Sequence, residues 1–367
     1  MKKINLLLIV CVLMLIISPL YGAGQQTESK TNQEVYLMRF SHGLPPDHIW
    51  AKTLAEFARR AEEKSEGQIK IEIYPAGQLM SDAEAYEAVM NGMVEIGNIW
   101  IANLEPNITI IGAFAPAGSV FNQELETELI KLYGNGEGPA NEMAKIVEDQ
   151  GVKILAWFST GCAGELSGYF GTGKPIVVPS DLEGRKVRSL GPLNAEILSA
   201  ARGRPVYLPG ADLYTGLQRK TIDAAWGTPS HLIDRKLYEV TDWYTAGAPG
   251  ADLQQFYPCM STAYFNSLPE DVQDALLEAG KEMTLECLDV NSDFNPYKAN
   301  YAYTKELQEM GFKIIKVTSD DLQQWSELCN PFHAAQMKKV GPEAIKIYNE
   351  ISTMKKERGL PFYFIEE

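Results

Sequence analysis

Two periodicities take turns along this chain. Residues 35–40 (VYLMRF) and 68–74 (QIKIEIY) read as strands, the second with Ile69, Ile71 and Ile73 on one side. Between them, 49–66 puts Trp50, Leu54, Phe57, Ala58 and Ala61 on one helical face, and Gly67 supplies the stop. Ser81 and Glu84 have capping-box spacing at the head of a helix reaching about Asn91. Strands follow at 94–100 and at 152–158 (VKILAWF). Strand and helix alternating in this way predict an α/β protein with a largely parallel sheet.

The last third is helical. Ser267, Pro269 and Glu270 open an apolar-periodic run that persists to about Met310, with Pro296 inside it to kink or split it. A run of that length would reach roughly 60 Å and brace more than one lobe. A strand at 312–317, a helix from about Ser319 interrupted by Pro331, and a terminal helix at 342–358 complete the pattern.

The chain also echoes itself. Ala83, Tyr86, Val89, Val94 and Glu95 recur 128 residues later as Ala211, Tyr214, Leu217, Ile222 and Asp223, each set a short helix running into a strand. Two lobes built alike would face each other with a cleft between them, because open α/β sheets bind ligands beyond the carboxyl ends of their strands.

Composition narrows the class. Of 367 residues, 33 are Lys or Arg and 48 are Asp or Glu, a formal net charge of -15, which repels nucleic acid phosphates and anionic lipid. Lys2 and Lys3, an apolar run over 6–17, Ser18-Pro19 and small residues at 22–24 form the pattern of a cleaved signal peptide over 1–23. The apolar run is short for a membrane span, which takes about 20 residues. The expected mature chain is therefore periplasmic, with no direct membrane insertion, and begins with a polar linker over 24–34. Cys162, Cys259, Cys287 and Cys329 survive cleavage without metal-type spacing, as disulfides or buried thiols. These readings give a first lobe of 35–157 plus 253–292, a second of 158–252 plus 293–345, and a C-terminal helix and tail over 346–367.

YPAGQL at 74–79, AEAYEAVMNGMVEIG at 83–97, DLEGRKVRSLG at 181–191 and PVYLPGADLYTGLQRKTIDAAW at 205–226 resemble the DctP-type solute-binding proteins of TRAP transporters, the tripartite ATP-independent periplasmic carriers. The similarity runs in order from about Val35 to Val317. It implies a two-lobed periplasmic binding protein fold, a long helix spanning both lobes, and a cleft closing on an organic acid for delivery to integral-membrane permease subunits.

Within that resemblance Arg188 matches the arginine of the K-x-R strand that grips the substrate carboxylate. The chemistry suits it, since a planar guanidinium holds a carboxylate through two parallel charge-assisted bonds. Two family features are absent: an arginine in the turn at 159–166 (STGCAGEL), and Glu-Asn-Pro after the second-lobe strand, where this chain has 223–229 (DAAWGTP). A metal-assisted subgroup carries Glu-Trp near this point, and Ala225 replaces that glutamate, so no metal and no cofactor are expected. Trp226, Gly227 and Thr228 fall at the cleft by the motif match. Trp100 and Phe114 are candidate aromatic walls, and Glu165 and His42 candidate polar contacts. Aromatic walls and one arginine suit a monocarboxylate with an apolar or aromatic body.

No catalytic chemistry competes strongly. The sequence holds no Gly-x-Ser-x-Gly elbow, His-Glu-x-x-His pair or phosphate loop, and its 4 histidines are scattered. A periplasmic enzyme is the weaker alternative, and a sensor presenting its closed form to a membrane receptor remains open beside transport.

Overall fold

The computed structural model describes residues 34–114, 116–250 and 255–366; the expected signal peptide and nearly all of the expected linker lie outside them. The strands in chain order are β1 (Tyr36–Ser41), β2 (Ile69–Tyr74), β3 (Ile96–Trp100), β4 (Val152–Ile154), β5 (Phe158–Ser159), β6 (Gly168–Gly171), β7 (Lys186–Ser189), β8 (Arg204–Tyr207), β9 (Ala224–Gly227), β10 (Trp243–Ala246), β11 (Gln255–Ser261) and β12 (Lys313–Lys316). They form two six-stranded sheets, β2-β1-β3-β11-β4 with β5 also pairing β11, and β12-β10-β6-β9-β7-β8.

Each sheet is mixed where a largely parallel one was expected. β1 runs parallel to β2 and β3, and β7 parallel to β8 and β9. β11 and β6 then join antiparallel beside β3 and β9. Both of these strands arrive from the other sheet, so no crossover helix obliges them to run parallel. The two sheets thus share one plan, and the internal echo holds element by element. The 3₁₀ turn Asp82–Glu84, helix Ala85–Met90 and β3 begin 128 residues before the turn Gly210–Asp212, helix Leu213–Gln218 and β9.

Helix Ile49–Lys64 buries Trp50, Leu54, Phe57, Ala58 and Ala61, the face its spacing marks out. It packs on helix Glu270–Glu286, where a β-carbon on Gly280 would stand 1.9 Å from the Leu155 carbonyl oxygen, so only glycine lets helix and strand link approach.

The long helical run is not a single helix spanning the lobes. It divides into Glu270–Glu286 and Pro296–Glu309, separated by turns in which Asn291 and Phe294 N–H groups donate to Asp289 Oδ1 and Ser292 Oγ. Asn295 caps the second helix and Pro296 takes its first position. The helix that reaches both lobes is Ser319–Val340, which continues through Pro331. Trp325 stacks on Tyr169 of β6 and donates Nε1–H to Val177 O, while His333 Nε2 bonds Ala117 O and Gln336 reaches Glu105. Packing on both sides holds the helix across the proline, whose missing N–H costs one internal bond. Residues 319–345 accordingly do not belong to the second lobe alone. Cys162, Cys259, Cys287 and Cys329, the cysteines among the described residues, are all buried free thiols. Among the described residues no helix is long and apolar enough to cross a membrane.

Candidate ligand-binding site

The carboxyl ends of β1 and β3 in the first sheet, and of β7, β8 and β9 in the second, bring one group of polar side chains together. Arg188, next to last in β7, donates Nε–H to Leu208 O at 2.8 Å, its one hydrogen bond among the described residues. Arg235 follows helix Pro229–Asp234, donates Nη1–H to Gly210 O at 2.9 Å, and keeps a buried Nε without a partner. A β-carbon on Gly210 would stand 3.7 Å from Arg188 Nη2 and from both Arg235 Nη atoms. The two guanidinium groups therefore come together beside Gly210.

Asp82 faces them from the first lobe. Its Oδ1 accepts the Gly43 N–H at 3.1 Å, and a side chain at 43 would collide with it. Burial pushes its carboxyl above the usual range, against the Gly43 N–H, the Trp100 indole and the charges of Arg235 and Arg188. Burial, and then the like charge of Arg235, lower the Arg188 guanidinium to about 10. Burial lowers Arg235 too, opposed by Asp82 and Asp234. The opposite charges sense one another, yet no ion pair joins Asp82 to either arginine among the described residues. Two half-buried guanidinium groups thus face one half-buried carboxylate, with Asp234 also acting on Arg235, and among the described residues both arginines keep hydrogen-bond donors free for an anion.

Aromatic rings border the cluster. Trp100, last in β3, lies edge-on to Trp50 with centroids 5.5 Å apart and 5.3 Å from Phe256. Trp50 also meets His231 from the second lobe at 5.7 Å. His48 caps helix Ile49–Lys64 and brings Nε2 to 3.3 Å from Asp234 Oδ2, so the lobes touch. Burial, then Arg235, holds His48 neutral at about 4, and burial drives His231 well below the ordinary range.

Of the residues singled out in the sequence, Arg188 and Trp100 stand in this cluster. His42 supports it, since its Nδ1 accepts Leu44 N–H at 3.2 Å in the loop whose Gly43 holds Asp82. Gly227 lets the second lobe close up, because a β-carbon there would be 2.8 Å from His231 Nδ1. Thr228 is spent on its own helix: its hydroxyl pairs with Ser230 Oγ at 2.6 Å and His231 Nδ1 at 3.1 Å.

Three candidates stand elsewhere. Val187 pairs with Ala224, so alternation puts Trp226 on the face of the second sheet opposite Arg188. There the indole is buried beside Tyr169 and donates to Ala248 O at 2.8 Å. Phe114 is fully buried with its ring 4.8 Å from Trp157, a core contact. Glu165 is exposed, pairs with Lys316 at 2.7 Å, and lines an open cavity with Asn122 and Tyr301, away from Arg188. Each motif position told where the residue sits along its element and not which side the partner lobe covers.

Arg235 and Asp82 escaped sequence reasoning. In HLIDRK, Arg235 reads as a cation at a helix C-terminus, and Asp82 sits inside the capping-box spacing of Ser81 and Glu84. The 128-residue echo is the signal that leads to them, since it equates the turn at Asp82 with the turn at Gly210. Among the described residues no group of three His, Cys, Asp or Glu side chains is placed to hold a metal ion.

Residues 40–339 match the family described as bacterial extracellular solute-binding protein, family 7 (DctP). The chain is 26% identical over 325 residues to the C4-dicarboxylate-binding periplasmic protein DctP of Rhodobacter capsulatus, covering 85% of this chain and 90% of that protein. In fold it is similar to a TRAP periplasmic solute-binding protein from Roseobacter denitrificans with bound β-D-glucuronate, at a TM-score of 0.74 and 20% identity over 86% of this chain and 99% of the other. A second such protein, from Rhodoferax ferrireducens with bound malonate, aligns at 0.73 and 23% identity over 88% and 99%.

Proposed function

Because the chain belongs to family 7 of the bacterial extracellular solute-binding proteins, whose members bind solutes and are not enzymes, we propose that it captures one organic acid between its lobes for membrane TRAP permease subunits. The observation that carries this reading is the pair of half-buried guanidinium groups, Arg188 and Arg235, that come together beside Gly210 and are faced by Asp82. A carboxylate between them accepts charge-assisted bonds from both, and closure removes the water that would weaken them. Contacts made only in the closed form are what shift the lobes towards it.

The charge balance favours a monocarboxylate. Two arginines less Asp82 leave room for one negative charge, while a dicarboxylate would bury a second. Asp234, its side chain only 22% exposed, offsets part of the Arg235 charge and so argues further against a second carboxylate. Trp100, with Trp50 and Phe256 behind it, offers a ring surface to an apolar or aromatic body, a narrower wall than the sequence led us to expect. The neighbours carrying glucuronate and malonate support an acid of some kind. Titration calorimetry of the mature protein against phenylacetate, 3-methylbutanoate, glucuronate, malonate and succinate tests the reading. Tight binding of an aromatic or branched monocarboxylate is expected; tight binding of malonate or succinate alone refutes the monocarboxylate, and no binding of any acid refutes the function.

A further inference from the structure

A second buried carboxyl lies away from the ligand site. Glu126, on helix Gln123–Gly134, is fully buried and draws one donor from each of three places where the chain passes between the lobes, helix Ser319–Val340 being a further crossing that gives none. Ser159, which ends β5 before the first passage, donates its hydroxyl to Oε1 at 2.7 Å. Gln255, which opens β11 after the second, donates Nε2–H to the same oxygen at 3.4 Å. Tyr297, at the head of helix Pro296–Glu309 after the third, donates its hydroxyl to Oε2. Burial pushes this carboxyl above the usual range, with those three donors pulling it back and no basic side chain among them. An apolar side chain would fill the position without that desolvation cost, so the carboxyl is tolerated only while the three donors converge on it.

The network continues to the ligand site. Gly161 N–H donates to Ser159 Oγ at 2.8 Å, and Asn300 Nδ2 donates to Thr160 O at 2.9 Å and Gly161 O at 3.1 Å. Asn300 Oδ1 accepts the Ser230 N–H at 3.1 Å, at the head of the helix that leads to Arg235. Gly161 holds a left-handed φ of +69°, and a β-carbon there would stand 2.7 Å from the Pro296 carbonyl carbon. The first and third passages therefore touch without slack, and a shift in one moves the other.

We propose that Glu126 is the positioning residue of the closure: it holds the three passages in the register that brings Arg188 and Arg235 over Asp82, and so sets the fraction of free protein that is closed. This rests on the function proposed above. Glu126 touches no ligand, so its loss scales every apparent Kd by the same factor, the reciprocal of the closed fraction. A residue of the ligand site would instead change the ranking of ligands.

The test places paired spin labels on Lys70→Cys and Arg219→Cys, one exposed position in each lobe, in an otherwise native mature chain whose Cys162, Cys259, Cys287 and Cys329 are buried. Distance distributions are compared for the parent, Glu126→Gln, Glu126→Leu and Tyr297→Phe without ligand, and Kd is measured for D-glucuronate, phenylacetate and malonate. Expected are longer, broader distances in the Glu126 variants and about 10-fold weaker binding of every acid the parent binds, in unchanged ratio. Tyr297→Phe should move both readouts in the same direction by less. Parent-like distances with parent-like Kd, or losses that differ between acids, overturn the proposal. If Glu126→Leu does not fold, Glu126→Gln and Tyr297→Phe decide it. Were the parent to bind none of the acids, the functional reading would fall while the distance measurements still decided the role of Glu126.

Discussion

Replacing Arg188 with Met separates ligand recognition from stability, because the structure assigns the two effects opposite signs. The substitution keeps the apolar stem and removes the charge. Depression of the guanidinium from 12.5 to about 10 means that the ionised form is disfavoured in its site by roughly 3 kcal/mol. Removing the cation relieves that cost. Against it stands the lost bond to Leu208 O, whose half-buried carbonyl then goes without this donor at about 1–3 kcal/mol. The net effect on the unliganded protein lies between about zero and a gain of 2 kcal/mol, a melting temperature unchanged or raised by up to about 4 °C. Binding goes the other way: truncating one partner of a buried charge pair costs about 2–5 kcal/mol, a rise in Kd of about 30- to 5000-fold. Calorimetry with an acid that the wild type binds, and a thermal melt of both proteins without it, measure the two halves. Affinity kept within about threefold, or a melting temperature lowered by more than about 5 °C, would refute the reasoning and make Arg188 a structural residue.

Arg235→Gln keeps a donor for Gly210 O but removes the second positive charge, so Kd should rise about 10- to 100-fold while the melting temperature holds, as read by calorimetry. Gly280→Ala, with its β-carbon 1.9 Å from Leu155 O, should cost about 3 kcal/mol in urea unfolding without touching the site; an unchanged midpoint would contradict the packing described for that helix. Acid should destabilise the protein early. His42, His48 and His333 are each held at about 4 by burial, below the ordinary 6.5, so between those values the unfolded chain binds protons that the folded chain refuses. No such cost exists above pH 6.5, and it grows as pH falls towards 4, by about 1.4 kcal/mol per pH unit for each histidine. Urea midpoints at pH 7 and pH 5 should therefore differ, and His333→Gln should narrow the gap; equal midpoints would show that these rings protonate in the folded state.

The sequence by itself determined the local elements and the plan of the chain. Period 3.6 over 49–64 and period 2 over 69–74 set the buried faces, and the 128-residue echo set two lobes of one topology. It also singled out Arg188, because a motif carries a residue's position along its strand. What surrounds a side chain was decided only in three dimensions. Trp226 and Phe114 are core because Tyr169 and Trp157 cover them, and Glu165 stays exposed beside Lys316, away from the arginines. Pro331 stays within a helix because both lobes grip it, which made Ser319–Val340 the brace in place of the run ended by the turns after Cys287. Arg235 and Asp82, 153 residues apart, become neighbours only when two similar sheets turn their carboxyl ends towards each other. Periodicity reports which face of its own element a residue occupies; what that face meets depends on contacts distant in the chain, and charge balance in a cleft is a property of those contacts alone.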